Sequence, residues 1–270
     1  MKNPIKRFSV FAALAAVILL AAGCQSPKPA PKSCCATAAP SCCAMMPMTC
    51  PFMASNCPAM TPAVPPTREL QAAMTPAQAL AKLKAGNARF VAGHPLYRDF
   101  PADVKATASG QYPIAVVLSC LDSRQPIEIV LDQGIGDIFS ARVAGNVLND
   151  DILGSMEFAC KVSGAKLIAV IGHSNCGAIK GAIDDARLGN LTGLLARIKP
   201  AMDAVPADVQ PRTSKNYQFV DEVSEANVRL VMKEIPERSP VLKEMIDQGQ
   251  IGLVGGMYDL KTGEVHFFEN

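Results

Sequence analysis

The stretch VLSCLDSRQPIE, residues 117–128, opens as a buried strand and closes as the first turn of a helix. Between the two stand Cys120, Asp122, Ser123 and Arg124. A thiol, a carboxylate and a guanidinium at the lip of an apolar run are each costly to dehydrate unless paired or bound to a metal. The partner has to come from elsewhere in the chain. A strand-to-helix junction says where to look, because open α/β sheets form their sites beyond the carboxyl ends of their strands.

Working outward, PIAVVLS (113–119), DIFSARV (137–143), KLIAVIG (166–172) and IGLVGGMYD (251–259) read as strands, short and apolar or β-rich. Helical patterns fall between them, over 125–131, 151–163, 175–188, 224–235 and 239–248, the last with Ser239 as cap and Pro240 at the first helical position. Ahead of the first strand, Thr75, Pro76 and Gln78 spell an N-cap, an N1 proline and a capping box. Leu80, Leu83 and Phe90 then line one face of a surface helix. Strands alternating with helices predict an α/β fold with a mostly parallel central sheet flanked by helices.

Two strand ends carry chemistry. Cys120 ends one, and VIGHSNCG (170–177) places His173 and Cys176 at another. Three residues apart, these two are predicted to lie one helical turn from each other and to face one point. If the strands are neighbours, Cys120, His173 and Cys176 converge. Two cysteines and a histidine make a three-ligand set for zinc that leaves one position for water, the pattern of a catalytic site. A Cys120–Cys176 disulfide is the rival reading for an exported protein, but it leaves His173, Asp122 and Arg124 without a role. Of the other candidates in the domain, Cys160 lies within an apolar helical pattern and is expected in the core. His94 follows Gly93 at a helix end, and His266 belongs to an edge strand near the C-terminus.

Two thiolates and an imidazole offset the charge of a zinc ion, so its bound water is harder to ionise than in an all-histidine site. Asp122 can accept a hydrogen bond from zinc-bound hydroxide if it stays charged, and Arg124 can keep it so through a bidentate pair. Asp122 can also turn and close the site as a fourth ligand. Without the metal ligands, the same pair would merely pin a strand-to-helix turn.

CLDSR (120–124) followed by GHSNCG (172–177) resembles the beta class of carbonic anhydrases. LKAGNARF (83–90) is similar to that family's N-terminal helix, GDIFSARVAGN (136–146) to its second strand and GGMYDLKTGEV (255–265) to its closing hairpin. The resemblance implies a sheet-and-helix fold with a homodimer as its smallest unit, and Zn2+ held by Cys120, His173 and Cys176. It makes Asp122 and Arg124 the catalytic dyad, and it matches Gln111 to a glutamine that reaches the substrate pocket, usually across the dimer interface. The implied reaction is reversible hydration of carbon dioxide: zinc hydroxide attacks the carbon, bicarbonate leaves and a new water loses its proton. Leu121 departs from the small residue common between the cysteine and the aspartate, and Val143 from an asparagine in the arginine-containing strand. Val117 stands where members inhibited by bicarbonate carry tryptophan, which this chain lacks. No residue stands out as a proton shuttle. A hydrolase of carbon disulfide or carbonyl sulfide would share this fold and differ in access to the zinc.

The N-terminus has another composition. Lys2, Lys6 and Arg7 precede an apolar run that ends in LLAAGC at Cys24, a secretory signal peptide over 1–23. Its small residues before cysteine resemble a bacterial lipoprotein box, although Ala21 holds the usual leucine place. Lipidation of Cys24 would anchor the protein to a membrane, the outer one in a Gram-negative cell, and leave the remainder in the periplasm. Residues 24–66 are rich in Pro, Ala, Cys and Met without amphipathic period, a disordered tether. Its repeats SCCATAAP, SCCAMMPM and TCPFMASN bring soft ligands that suit copper(I) or zinc, so a metal-capture or redox lipoprotein is the reading from another class. Residues 67–270 form the catalytic domain. With 26 basic against 24 acidic side chains, the chain's charge suggests no nucleic-acid partner.

Overall fold

A computed structural model describes residues 61–268. The signal peptide, Cys24 and nearly all of the expected tether lie outside the described residues. The elements run α1 (Arg68–Ala73), α2 (Pro76–Val91), α3 (Phe100–Thr107), β1 (Ala115–Ser119), α4 (Ile127–Val130), β2 (Ile138–Arg142), α5 (Asp150–Glu157), β3 (Leu167–His173) and α6 (Gly177–Ile183). Then come α7 (Gly189–Ala196), α8 (Lys199–Ala204), α9 (Tyr217–Arg238), α10 (Pro240–Asp247), β4 (Gly252–Tyr258) and β5 (Val265–Phe267). No helix among the described residues is long and apolar enough to cross a membrane.

One sheet runs in the order β2-β1-β3-β4-β5, the first four strands parallel and β5 antiparallel to β4. β1 and β3 are buried along their whole length, as central parallel strands covered on both faces should be. Alternate side chains feed two cores. Val116, Leu118, Ile168 and Val170 pack with α5, α9 and α10, while Ala115, Val117, Leu167, Ala169 and Ile171 pack with α2 and α4. A third cluster, under α6 to α9, includes Cys120 and Cys176.

Every predicted strand is present, and the Thr75 capping box forms in full: the Thr75 hydroxyl accepts from the Gln78 backbone N–H and the Gln78 side chain from that of Thr75. Four helices differ from the sequence reading. α4 starts at Ile127 rather than 125, because a residue before proline avoids helical backbone and Pro126 itself is extended. The pattern over 151–163 splits into α5 and a π turn over Phe158–Val162. α9 begins earlier than 224 and continues past Pro236, held by the buried stripe from Phe219 to Ile235. α6 starts at Gly177, so His173 and Cys176 do not share a helical turn. Asn175 has a left-handed backbone (φ 55°) and Cys176 is the extended N-cap, which turns the chain sharply between strand and helix.

Candidate metal centre

Ser119 of β1 pairs with Ile171 of β3, which puts Cys120 beside the end of β3. The connection leaving β1 runs to β2 on one side, and the chain leaving β3 goes toward β4 on the other. The site is thus a topological switch point, where adjacent connections diverge and leave a crevice.

Cys120, His173 and Cys176 meet there, their ligand atoms all within 4.8 Å of one another. Their relative exposures are 4%, 0% and 1%. The two sulfurs lie 4.0 Å apart, about twice a disulfide length, and both cysteines are free, which removes the disulfide reading. His173 Nδ1 lies 2.9 Å from the Ser174 carbonyl oxygen. A carbonyl only accepts, so Nδ1 carries the proton and Nε2 presents its lone pair. That Nε2 is buried without a hydrogen-bond partner, which is costly in an empty interior and expected of a metal ligand. Two soft sulfurs and an imidazole nitrogen are a donor set that fits zinc.

Charge in the site is arranged asymmetrically. Cys120 is pulled well below the usual thiol range, chiefly by its hydrogen bond with Cys176, with help from His173 and the Gly145 N–H, which lies 3.3 Å from its sulfur. The same pairing and burial push Cys176 up, since a second thiolate beside the first is disfavoured until a cation is present. Asp122 turns toward Arg124: Nε and the backbone N–H donate to Oδ1 at 2.9 Å each, and Nη2 donates to Oδ2 at 2.7 Å. Hydrogen bonding from Arg124 outweighs burial and lowers the Asp122 carboxyl to about 2. Asp122 Oδ2 also stands 3.8 Å from His173 Nε2. With both oxygens committed to Arg124, the carboxylate is not in the closing arrangement.

Gln111 is not brought to this site within one chain. It is exposed in the segment before β1, at the opposite end of that strand from Cys120. Cys160 is buried in the core, where desolvation pushes its thiol up to about 12. His94 is exposed just past the end of α2, and His266 lies on β5 with its side chain largely in solvent.

Sequence reading missed the parts that hold the ligands in place. Arg142, at the end of β2, donates to the backbone oxygens of Cys120 (3.1 Å) and Asp122 (2.6 Å) and fixes the loop between them. Its signal in the sequence is the ARVAGN motif (141–146), which carries a charged side chain at the end of a strand. Gly145 (φ 64°) aims its N–H at Cys120, and a Cβ there would come within 2.8 Å of Ile198. From α9, Ser224 donates to the His173 carbonyl and Asp221 accepts from the Asn175 N–H. No local pattern marks residues so distant in the chain. A cleft of about 330 Å3 beside Ser174, lined by Asp221, Glu222, Glu225, Asp259 and His266, includes none of the three ligands.

The family model for carbonic anhydrase matches residues 115–265, a span that begins at β1 and ends in β5. Carbonic anhydrase 2 of Mycobacterium tuberculosis is 37% identical over 189 residues, covering 70% of this chain and 90% of that protein. The carbonic anhydrase of Mycolicibacterium smegmatis is 35% identical over 191 residues, covering 70% and 92%. Among solved structures, the beta-carbonic anhydrase CafA of Aspergillus fumigatus superposes with a TM-score of 0.56 at 28% identity, over 72% of this chain and 90% of that one. One of two tetrameric beta-carbonic anhydrases from Sordaria macrospora gives 0.55 at 25% identity, over 63% and 87%. A parallel sheet opened at its switch point, a buried Cys-His-Cys cluster there and relatives that span most of both chains lead to one assignment: this chain belongs to the beta-class carbonic anhydrases.

Proposed function

We propose that this chain catalyses the reversible hydration of carbon dioxide to bicarbonate, with a zinc ion held by Cys120, His173 and Cys176. The observation that carries the reading is the convergence of three buried donors, one of them an imidazole nitrogen with no other partner. When bound, zinc supplies a Lewis acid that makes water acidic enough to lose a proton near neutral pH. Asp122 stays an acceptor-only carboxylate and orients a donor hydrogen at the mouth of the site. Arg124 holds that carboxylate charged and aimed. Leu121, 59% exposed beside them, gives the rim an apolar wall suited to a small uncharged gas.

Gln111 acts in the pocket of a second copy, which makes the dimer the working unit. The position of Gln111 supports this, because its place before β1 leaves it remote from the ligands of its own chain. The leader over 1–23 directs export, lipidated Cys24 anchors the protein outside the cytoplasm, and 67–270 is the catalytic domain. Fatty-acid labelling that disappears in Cys24→Ser tests the anchor, and unlabelled, freely released wild type would overturn it.

Stopped-flow carbon dioxide hydration with zinc quantification tests the centre. Wild type should hold about one zinc per chain and lose activity with it, and Cys176→Ala should hold little metal and be inactive. Activity in metal-free protein would end the proposal.

A further inference from the structure

Single exposed apolar side chains are ordinary on a protein surface, whereas a contiguous set marks a contact. Val64, Leu96, Tyr97, Phe100 and Val104 are each 45% to 75% exposed, and the fold gathers them on one side. The Ala63 N–H donates to the Tyr97 carbonyl at 2.8 Å and Ala63 bridges Arg98, so Val64 lies beside the loop that carries Leu96 and Tyr97. Asp99 then caps α3 by accepting from the Ala102 N–H, and Phe100 and Val104 follow one turn apart on the same face of that helix. One turn farther, Thr107 abuts Gly136 just ahead of β2, and so does Pro65 from the entering chain.

The patch therefore flanks the amino ends of β1 and β2, where the Asp137 carbonyl accepts from the Ile114 N–H. The metal centre lies beyond the carboxyl ends, and β1 with its five residues separates the two by about 17 Å. Of the charged side chains between 96 and 106, Asp103 is buried, Asp99 is spent on the helix cap and Arg98 pairs with Asp132. Lys105, beside Val104, is exposed. Apolar bodies, a tyrosine with a polar tip and a free cation make a surface that beds into the headgroup boundary of an anionic bilayer. The chain itself points to the same occupant. Thr61 is the first described residue and stands two places before Ala63, so the polypeptide leading back to Cys24 joins the domain at this patch.

We propose that this patch rests on an anionic phospholipid bilayer: Val64, Leu96, Tyr97, Phe100 and Val104 enter the interface, Lys105 meets lipid phosphate, and the metal centre opens on the far side, toward solution. The inference rests on the reading of Cys24 as a lipid anchor for delivery to the membrane, and on the patch for orientation. Five apolar side chains make a weak contact by themselves, and an anchor on the same chain raises the effective concentration of bilayer at the patch.

The test uses the zinc-loaded mature chain from Gln25 onward, which carries no acyl group, so that the patch is read apart from the anchor. The chain contains no tryptophan, so Phe100→Trp places a single reporter in the patch and Leu188→Trp places one at an exposed position outside it. Each is titrated with vesicles of phosphatidylethanolamine and phosphatidylglycerol, with and without brominated acyl chains. Expected are a saturable shift of the Phe100→Trp emission to shorter wavelength and its quenching by brominated lipid, with neither effect for Leu188→Trp. In co-sedimentation with the same vesicles, Val104→Glu should weaken binding at least tenfold and Val104→Leu should not, while both keep wild-type hydratase activity in solution. Three results overturn the proposal: no shift or quenching at position 100; an equal response at position 188; or short-wavelength emission before vesicles are added, together with a changed sedimenting mass in Val104→Glu, which would give the patch to a second copy. Vesicle binding by a protein that shows no fatty-acid labelling at Cys24 would remove the anchor and leave the patch standing, so the two readings fail separately.

Discussion

Asp122 and Arg124 lie two residues apart, and their pairing is the most local feature of the site. Three hydrogen bonds from Arg124 fix the carboxylate, so its charge and direction come from one turn of backbone. Asp122→Asn keeps the shape but replaces one acceptor oxygen with an amide donor. It should lower kcat/KM for hydration by about 10- to 100-fold, the range typical of groups that orient a metal's ligands, with zinc content unchanged. Stopped-flow kinetics beside metal analysis checks this, and loss of zinc would instead make Asp122 a ligand. At this scale the sequence was highly legible, because thiol, carboxylate, guanidinium and imidazole stand in short, spaced motifs. Arg142 and Gly145 were not legible as supports, since both act through backbone atoms that carry no signature of their partner.

Among the elements, α2 shows how local and tertiary demands combine. Its capping box satisfies backbone donors that would otherwise be orphaned, and Thr75→Ala should cost about 1 kcal/mol in urea unfolding, without effect on activity per folded molecule. Farther along, Gly86 faces α4 so closely that a Cβ would fall 1.8 Å from the Leu131 carbonyl oxygen. Gly86→Ala must push the helices apart, and a loss of about 1–3 kcal/mol in the same measurement is expected. Caps, N1 prolines and apolar strands were readable because they are nearest-neighbour chemistry. The error over 175–188 has the opposite origin. Periodicity sees a helix running through Asn175 and Cys176, but pairing of His173 with Tyr258 keeps the strand extended to that point, and Asp221 ties down the turn. The short helices α1, α3, α7 and α8 went unread, since six to eight residues carry too few apolar positions to declare a period.

Across the molecule, a network around Asp132 joins segments that no local motif connects. Burial raises its carboxyl, but hydrogen bonds from Arg89, Arg98 and the Leu96 N–H outweigh this and lower it overall. A carboxyl lowered by folding contributes stability above its unfolded pKa of about 3.9, and that contribution fades as pH falls from there through the folded value. Wild type should therefore lose stability more steeply below about pH 4 than Asp132→Asn, as thermal midpoints across acid pH will register. Deleting residues 25–66 should leave hydratase activity intact in purified protein, and its loss would favour the metal-capture reading of the tail. Sequence alone determined which segments are strands, which residues could bind zinc and which pair would attend them, because hydrophobic period and ligand chemistry are properties of short windows. Only the tertiary structure decided that β1 and β3 are neighbours, that the fork between them opens at their carboxyl ends, and that α9 braces the end of β3 and the turn that follows it. Strand order depends on how every helix covers the sheet at once, a non-local balance of burial that no window of sequence contains.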